Sequence, residues 1–258
     1  MGDDDLLTAL RDSNPLVHCI TNYVAMNIAA NVVLAAGASP AMLHATEEIE
    51  DFTPVCGALT INIGTLSAPW VDGMVAAAKT AGAHDIPWVL DPVAHFVSGY
   101  RRDVAQKLLS LRPAILRGNA SEILALAGEG GSGKGADSGD SVEAAEDAAQ
   151  ALARQTGAVV AVTGPVDFVT DAARSARVAG GSALMPKITA LGCSQTALMG
   201  AYAAIGPAFD AALAALAHFK AAGNVAAQKA QGPGSFQVHF LDALAAVQPG
   251  NVRATVRS

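Results

Sequence analysis

Short apolar runs, each closed by a loop, alternate with stretches of helical period along the first two thirds of the chain. Leu59 to Ile63, Trp88 to Val93, Ala114 to Leu116 and Val159 to Thr163 are almost continuously apolar, the pattern of strands buried on both faces. Between and after them, Pro69 to Thr80, Val104 to Leu111, Ala120 to Ala127 and Val142 to Gln155 space their apolar positions as one helical face requires. This β-α repetition predicts an α/β fold, with a mostly parallel central sheet flanked by helices on both faces. Phe168 to Thr170 and Ala176 to Ala179 predict a hairpin. From Cys193 onward nearly everything predicts helix, through Ala208 to Ala230 and Phe236 to Val247. Pro15 to Thr46 carries no Lys, Arg, Asp or Glu and reads as a buried helix interrupted by Asn22, Asn27, Asn31, Gly37 and Pro40.

Composition narrows the class. A chain of 258 residues, 52% hydrophobic and 15% charged, buries a large core and reads as one domain over residues 1–258. A net charge of −7 without a Lys/Arg cluster argues against a nucleic-acid partner, because phosphate neutralisation needs concentrated positive charge. Cys19, Cys56 and Cys193 are odd in number and far apart, so neither a disulfide framework nor a zinc site is indicated. The acidic start Met1-Gly2-Asp3-Asp4-Asp5 lacks a basic, apolar export signal, and no membrane span is expected, so the expected compartment is the cytoplasm.

In open α/β sheets, ligands bind beyond the carboxyl ends of the strands. The polar motifs that fall there are Asn62-Ile63-Gly64-Thr65, Asp91-Pro92-Val93, Arg117 to Glu122, Thr163-Gly164 and Gly192-Cys193. Thr189-Ala190-Leu191-Gly192-Cys193 ends a short β-prone run and opens into the helical run Thr196 to Ile205, which puts a thiol at a helix start. Unpaired N–H groups and the helix dipole favour an anion there, and the same field favours thiolate on Cys193. The plainer alternative is a turn glycine followed by a small buried cysteine. Asn119 and Glu122, three apart, form a helix cap, or a carboxylate holding hydrated magnesium beside a phosphate bound by Arg117. Thr163-Gly164 is a phosphate contact or a simple turn. Gly128 to Lys134 has the spacing of a phosphate-binding loop, but Gly135 stands where Ser or Thr is needed and a helix precedes it. That stretch reads instead as a flexible Gly/Ser-rich loop near 128–140.

Taken in order, the motifs Thr21-Asn22-Tyr23-Val24, Gly37 to Met42, Asn62 to Leu66, Asp91-Pro92-Val93, Arg117 to Ile123 and Gly232 to Phe236 resemble the hydroxyethylthiazole kinases of thiamine salvage. That family belongs to the ribokinase-like superfamily, and the resemblance covers nearly the whole chain. It implies a single-domain ribokinase-like kinase that transfers the γ-phosphoryl group of ATP to the primary hydroxyl of 4-methyl-5-(2-hydroxyethyl)thiazole, with Mg2+, as a homotrimer with thiazole sites at subunit interfaces. It further implies that Met42 lies in the thiazole pocket and that Asn22 helps shape it. Arg117, Thr163 and Asn119 fall on the ATP side, Glu122 organises the magnesium, and Asp91 is a weaker metal candidate. Cys193 stands where most ribokinase-like enzymes carry an aspartate base, beside an anion hole that includes Gly192, with Ala190 next to the acceptor.

Two departures from the family pattern lie where acceptor and γ-phosphate meet. Ala190-Leu191 replaces a Gly-Thr pair, and alanine resists positive φ. Ala94-His95-Phe96-Val97-Ser98 replaces a glycine-rich turn before Tyr100-Arg101, with His95 read as a packed surface residue. These leave two alternatives open: a kinase for another hydroxyalkyl heterocycle, or a nucleotide or thiazole binder without turnover.

Overall fold

The computed structural model describes residues 3–128 and 141–257. The Gly/Ser-rich stretch expected as a flexible loop therefore lies outside the described residues, apart from Gly128.

The first elements are α1 (Asp3–Ser13), β1 (Leu16–Ile20), α2 (Met26–Ala36) and β2 (Ser39–Ala41). Pro15 to Thr46, expected as one buried helix, is thus a strand, a helix and a second strand. The chain leaves α2 at Gly37, whose φ of 104° is open to glycine and costly for other residues. Leu16–His18 then pairs with Ser39–Ala41 on one side, and Val17–Ile20 pairs with 58–61 on the other. These non-local ladders override a local pattern that cannot tell a short buried strand from a helical segment.

The alternation then runs through α3 (Thr46–Phe52), β3 (Ala58–Asn62), α4 (Ala68–Ala83), β4 (Trp88–Asp91), α5 (Gly99–Leu109), β5 (Ile115–Asn119), α6 (Ala120–Leu126), α7 (Glu146–Thr156) and β6 (Val159–Thr163). It ends with β7 (Val166–Thr170), β8 (Ser175–Ala179), α8 (Leu191–Ala203), α9 (Ala208–Lys229), α10 (Pro233–Ala246), α11 (Pro249–Arg253) and β9 (Val256–Arg257). One nine-stranded sheet has the order β2-β1-β3-β4-β5-β6-β7-β8-β9 among the described residues. Strands β2 to β6 are parallel, and β7 to β9 add antiparallel pairs at one edge. The expected strands and the hairpin are present, and the third strand extends to Asn119.

The period of two along the strands builds two separate cores. Val89, Ile115, Val159 and Ala161 face the layer of α1, α2, α8, α9 and α10. Trp88, Leu90, Leu116, Val160 and Val162 face α4, α5, α6 and α7. Helix α8 is buried nearly all round, and α9 packs through small residues such as Ala211, Ala212, Ala214, Ala215 and Ala217, so both lie close to the sheet. Among the described residues no helix is long and apolar enough to cross a membrane.

Gly200 marks the closest approach of α8 to the sheet. A Cβ there would lie 2.2 Å from Thr60 Cγ2 and 3.1 Å from Val17 Cγ1. Gly200→Ala gains about 1 kcal/mol of helix propensity, but overpacking against a β-branched side chain costs about 2–3 kcal/mol. Denaturant unfolding should show a net loss of stability; an unchanged midpoint would mean that α8 can move away from β3.

Candidate active site

All the polar motifs singled out in the sequence end at the carboxyl edge of the parallel strands. Register explains the convergence: Asn62 pairs with Asp91 across β3 and β4, and Asn119 pairs with Thr163 across β5 and β6. Partners in register present their side chains on the same face.

Their hydrogen bonds form one connected network. Arg117 donates from Nη1 to Asp91 Oδ2 at 3.2 Å and from Nη2 to Thr163 Oγ1 at 2.8 Å. Asp91 Oδ2 also accepts from Thr196 Oγ1 at 2.6 Å and from Asn62 Nδ2 at 2.7 Å. Asn62 Oδ1 in turn accepts from Asn22 Nδ2 at 2.7 Å and from the Gly64 N–H at 2.9 Å. Burial drives the Asp91 carboxyl upward, while Arg117, Thr196 and Asn62 oppose the shift. One oxygen taking three donors is the behaviour of a carboxylate, so the buried pair with Arg117 is ionised.

Glu122 and Asn119 form a reciprocal cap at the start of α6: Asn119 Oδ1 accepts from Glu122 N, and Glu122 Oε2 accepts from Asn119 N at 2.8 Å. Glu122 Oε1 takes the Ala94 N–H at 2.9 Å. The cap and the candidate metal carboxylate are therefore the same group. Burial first, and the charge of Asp91 second, push the Glu122 carboxyl up to about 7. Among the described residues no three His, Cys, Asp or Glu side chains group as a metal cage. Magnesium, however, is commonly held by one or two carboxylates with water and substrate phosphates. Glu122 at the cleft wall, with Asp91 behind it, suits that mode.

A cleft of about 660 Å³ opens over this edge. Arg117, Asn119, Glu122, Thr163 and Gly164 line it from the strand ends and the start of α6, and Ala190, Leu191, Gly192, Cys193 and Gln195 line it from the entry to α8, where Gly192 and Gln195 lie against the Arg117 guanidinium. It continues past Gly180 to Ala183, Met185 and Phe219. Asn22 and Asp91 lie behind the lining, and Met42 does not reach it but packs, half-buried, on the α2–α9 core. Asn22 and Asn62 lie near enough to the Cys193 sulfur to favour its ionised form, though their amides are bonded elsewhere, to Asn62 Oδ1 and Asp91 Oδ2. The structure thus joins nine of the ten expected site residues around one cleft and sets Met42 apart from it.

The segment before α8 differs from expectation. It is a 3-10 turn over Met185–Lys187 followed by further turns, not a strand, and the helix begins at Leu191. Leu191 is buried, Gly192 is exposed in the first turn, and Cys193 follows half-buried. Ala190 takes φ 59° and ψ 13°, the left-handed conformation that its side chain disfavours. The 188–191 turn and the helix entry hold it there, through Leu191 N on Ile188 O and Ser194 N on Ala190 O. The helix-end field does not produce a thiolate. Burial foremost, then the charge of Asp91, push the Cys193 thiol up to about 11, against Arg117, Asn62 and Asn22. His95, expected at the surface, is 2% exposed and lies outside the cleft lining.

Four further residues were not anticipated. Thr196 and Gln195, both within one helical turn of Cys193, turn inward to Asp91 and Arg117 respectively. Asp167 and Lys220 pair at 3.3 Å under the β6–β7 turn, where Lys220 Nζ also donates to Gly164 O and Pro165 O. A lone lysine in the apolar run 211–222 and a lone aspartate in β7 were their sequence signals.

An anchored guanidinium, a carboxylate at one helix start and a second helix start across the cleft define an α/β phosphotransferase of the ribokinase-like class. The profile of the hydroxyethylthiazole kinase family matches residues 7–250. The hydroxyethylthiazole kinase of Roseobacter denitrificans is 75% identical over 257 residues, covering 100% of both chains. That of Cereibacter sphaeroides is 61% identical over 248 residues, 96% of this chain and 95% of the relative. The hydroxyethylthiazole kinase structure from Pyrococcus horikoshii superposes with a TM-score of 0.91 at 38% identity, covering 99% of this chain and 98% of that one. The ADP complex of Bacillus subtilis pyridoxal kinase shares the fold, with a TM-score of 0.60 at 17% identity over 80% of this chain and 90% of its own. The chain belongs to the hydroxyethylthiazole kinase family.

Ala190→Gly removes the left-handed strain, worth roughly 1–2 kcal/mol, at a smaller cost in unfolded-chain entropy. The melting temperature should rise by about 2–3 °C. A variant melting at or below the wild-type temperature would show that Ala190 carries no strain.

Proposed function

We propose that the protein transfers the γ-phosphoryl group of ATP to the primary hydroxyl of 4-methyl-5-(2-hydroxyethyl)thiazole, as a cytoplasmic enzyme of thiamine biosynthesis or salvage. The observation that carries this reading is the cleft, whose nucleotide wall of Arg117, Thr163, Asn119 and Glu122 faces Cys193 and the start of α8.

Phosphoryl transfer asks mainly for in-line positioning and stabilisation of charge on the moving group. Arg117 is held rigidly by Asp91 and Thr163, so its guanidinium is oriented before phosphate arrives. The first-turn N–H groups of Gly192 and Cys193, residues that line the same space, suit the developing charge, whereas the Leu191 N–H is taken by Ile188 O. Magnesium, when bound with ATP, supplies neutralisation of the phosphate oxygens. Glu122 would hold it through its waters, with both carboxylate oxygens kept in place by the N–H groups of Ala94 and Asn119, and Asp91 adding negative charge behind.

The acceptor hydroxyl lies against Cys193, with Ala190 beside it and Asn22 oriented by Asn62. Cys193 takes the hydroxyl proton as its thiolate, a minority species at neutral pH because the thiol is raised to about 11. A sulfur this basic is a strong acceptor once ionised. A homotrimer fits the exposed apolar residues on α2, α10 and the preceding loop, where Tyr23, Val24, Leu34 and Val238 are 58–63% exposed.

Incubation with ATP, Mg2+ and the thiazole alcohol should yield ADP and the thiazole monophosphate. Binding of both ligands without turnover at millimolar substrate would instead mark a non-catalytic binder, and a strong preference for another alcohol in a panel would reassign the acceptor. Cys193→Ala should lower kcat by about one to three orders of magnitude. With a pKa near 11, the thiolate fraction grows with pH, so wild-type kcat should climb by about tenfold per unit between pH 7 and 9 where chemistry limits. The alanine variant should lose that slope, and a slope common to both proteins would remove Cys193 from proton transfer.

A further inference from the structure

Arg101 lies in the first turn of α5, yet its side chain reaches back between two strand ends. Nη2 donates to Ile63 O at 2.6 Å and to Val93 O at 2.5 Å. Nη1 donates to Gly64 O at 3.2 Å, and Nε to Ala94 O at 3.2 Å. Four bonds from a guanidinium with five N–H donors therefore end on main-chain carbonyls. These carbonyls belong to the loops that follow β3 and β4.

Each loop touches the site on its other side. Gly64 donates its N–H to Asn62 Oδ1, the same oxygen that orients Asn22. Ala94 donates its N–H to Glu122 Oε1. Ala94 also sits at φ 48° and ψ 35°, the left-handed region that a residue with a side chain leaves readily unless held. Three bonds hold it: Glu122 takes its N–H, and its C=O accepts from both Arg101 and the Val97 N–H. Arg101 does not line the cleft, and it touches neither Arg117 on β5 nor Thr163 on β6 through any of these bonds.

We propose that Arg101 is a positioning residue for phosphoryl transfer, which clamps the 63–64 and 93–94 loops together and thereby sets Asn22 at the acceptor end of the cleft and braces the Ala94 bond to Glu122 on its nucleotide wall. The proposal rests on the phosphotransfer reading above. A planar fork reaches both loops at once, which a compact ammonium cannot do. Loss of the clamp shifts Asn22 at the acceptor end, while Glu122 keeps its cap bond to Asn119 and Arg117 keeps its bonds to Asp91 and Thr163, so acceptor kinetics fall further than ATP affinity.

Arg101→Met and Arg101→Lys should be compared with wild type for steady-state kinetics, calorimetric ATP affinity and amide hydrogen exchange. A displacement of the order of 1 Å costs about a hundredfold. Accordingly, kcat/KM for the thiazole alcohol should fall by about a hundredfold in Arg101→Met and about tenfold in Arg101→Lys. The acceptor KM should rise while ATP affinity stays within about threefold, and exchange should speed up in segments 62–66 and 92–98 alone. Kinetics within twofold of wild type would overturn the proposal. So would ATP affinity falling by the same factor as kcat/KM, or protection lost throughout the sheet. If Arg101→Met does not fold, the lysine variant is read by the same criteria. If the wild-type protein fails to phosphorylate the thiazole alcohol, the functional reading falls on that result. Exchange then still decides the clamp, since unchanged protection in the two loops refutes it and selective loss supports it.

Discussion

The ion pair between Arg117 and Asp91, buried at the meeting of β4 and β5, is the interaction on which the site depends. Removing two charges from water costs several kcal/mol per ion by the usual order of magnitude, and attraction alone rarely recovers it. Here the cost is offset by further bonds from separate parts of the fold: Asn62 from β3, Thr163 from β6, and Thr196 and Gln195 from α8. The pair is thereby the point at which the parallel strands and the helix behind them are tied together. An arginine so fixed presents its charge to a phosphate without reorganising, which is the condition for electrostatic stabilisation of a transferring group.

The other cations near the cleft work differently. Arg101 gives its donors to carbonyls of the β3 and β4 loops, and Lys220 gives its three to Gly164 O, Pro165 O and Asp167. With its donors occupied in this way, Lys220 holds the β6–β7 turn instead of acting as a free phosphate ligand. The site thus combines one guanidinium facing the nucleotide wall with two cations that hold loops. Three buried carboxylates, Asp91, Glu122 and Asp167, balance them. Burial foremost, with the charge of Asp91 adding to it, keeps Cys193 a thiol in the free protein.

Much of the frame was legible because β3, β4 and β6 are continuous apolar runs with no competing helical pattern, each closed by a polar loop. The gathering of Arg117, Asn119, Glu122 and Thr163 at one cleft was legible for a related reason, since they lie at or just beyond strand ends, where sequence position nearly fixes spatial position. β1 and β2 were not, because their identity comes from ladders to one another and to β3, between residues as far apart as Val17 and Ala58. Asp167 and Lys220 escaped notice because 53 residues of sequence separate them, and nothing local shows that both turn to one cleft.

Local patterning determined the α/β class, the order of most strands and helices, and the set of polar residues gathered at the sheet's carboxyl edge. It could do so because strand and helix periods and turn chemistry are properties of neighbouring residues. Tertiary structure decided the rest: that the Glu122 cap carboxylate also lines the cleft, that Ala190 and Ala94 are held at positive φ, and that Cys193 is a thiol. Each of these depends on burial and on contacts made by distant segments, such as the Ala94 N–H on Glu122 and Asp91 behind Cys193, which come together only when the sheet has formed.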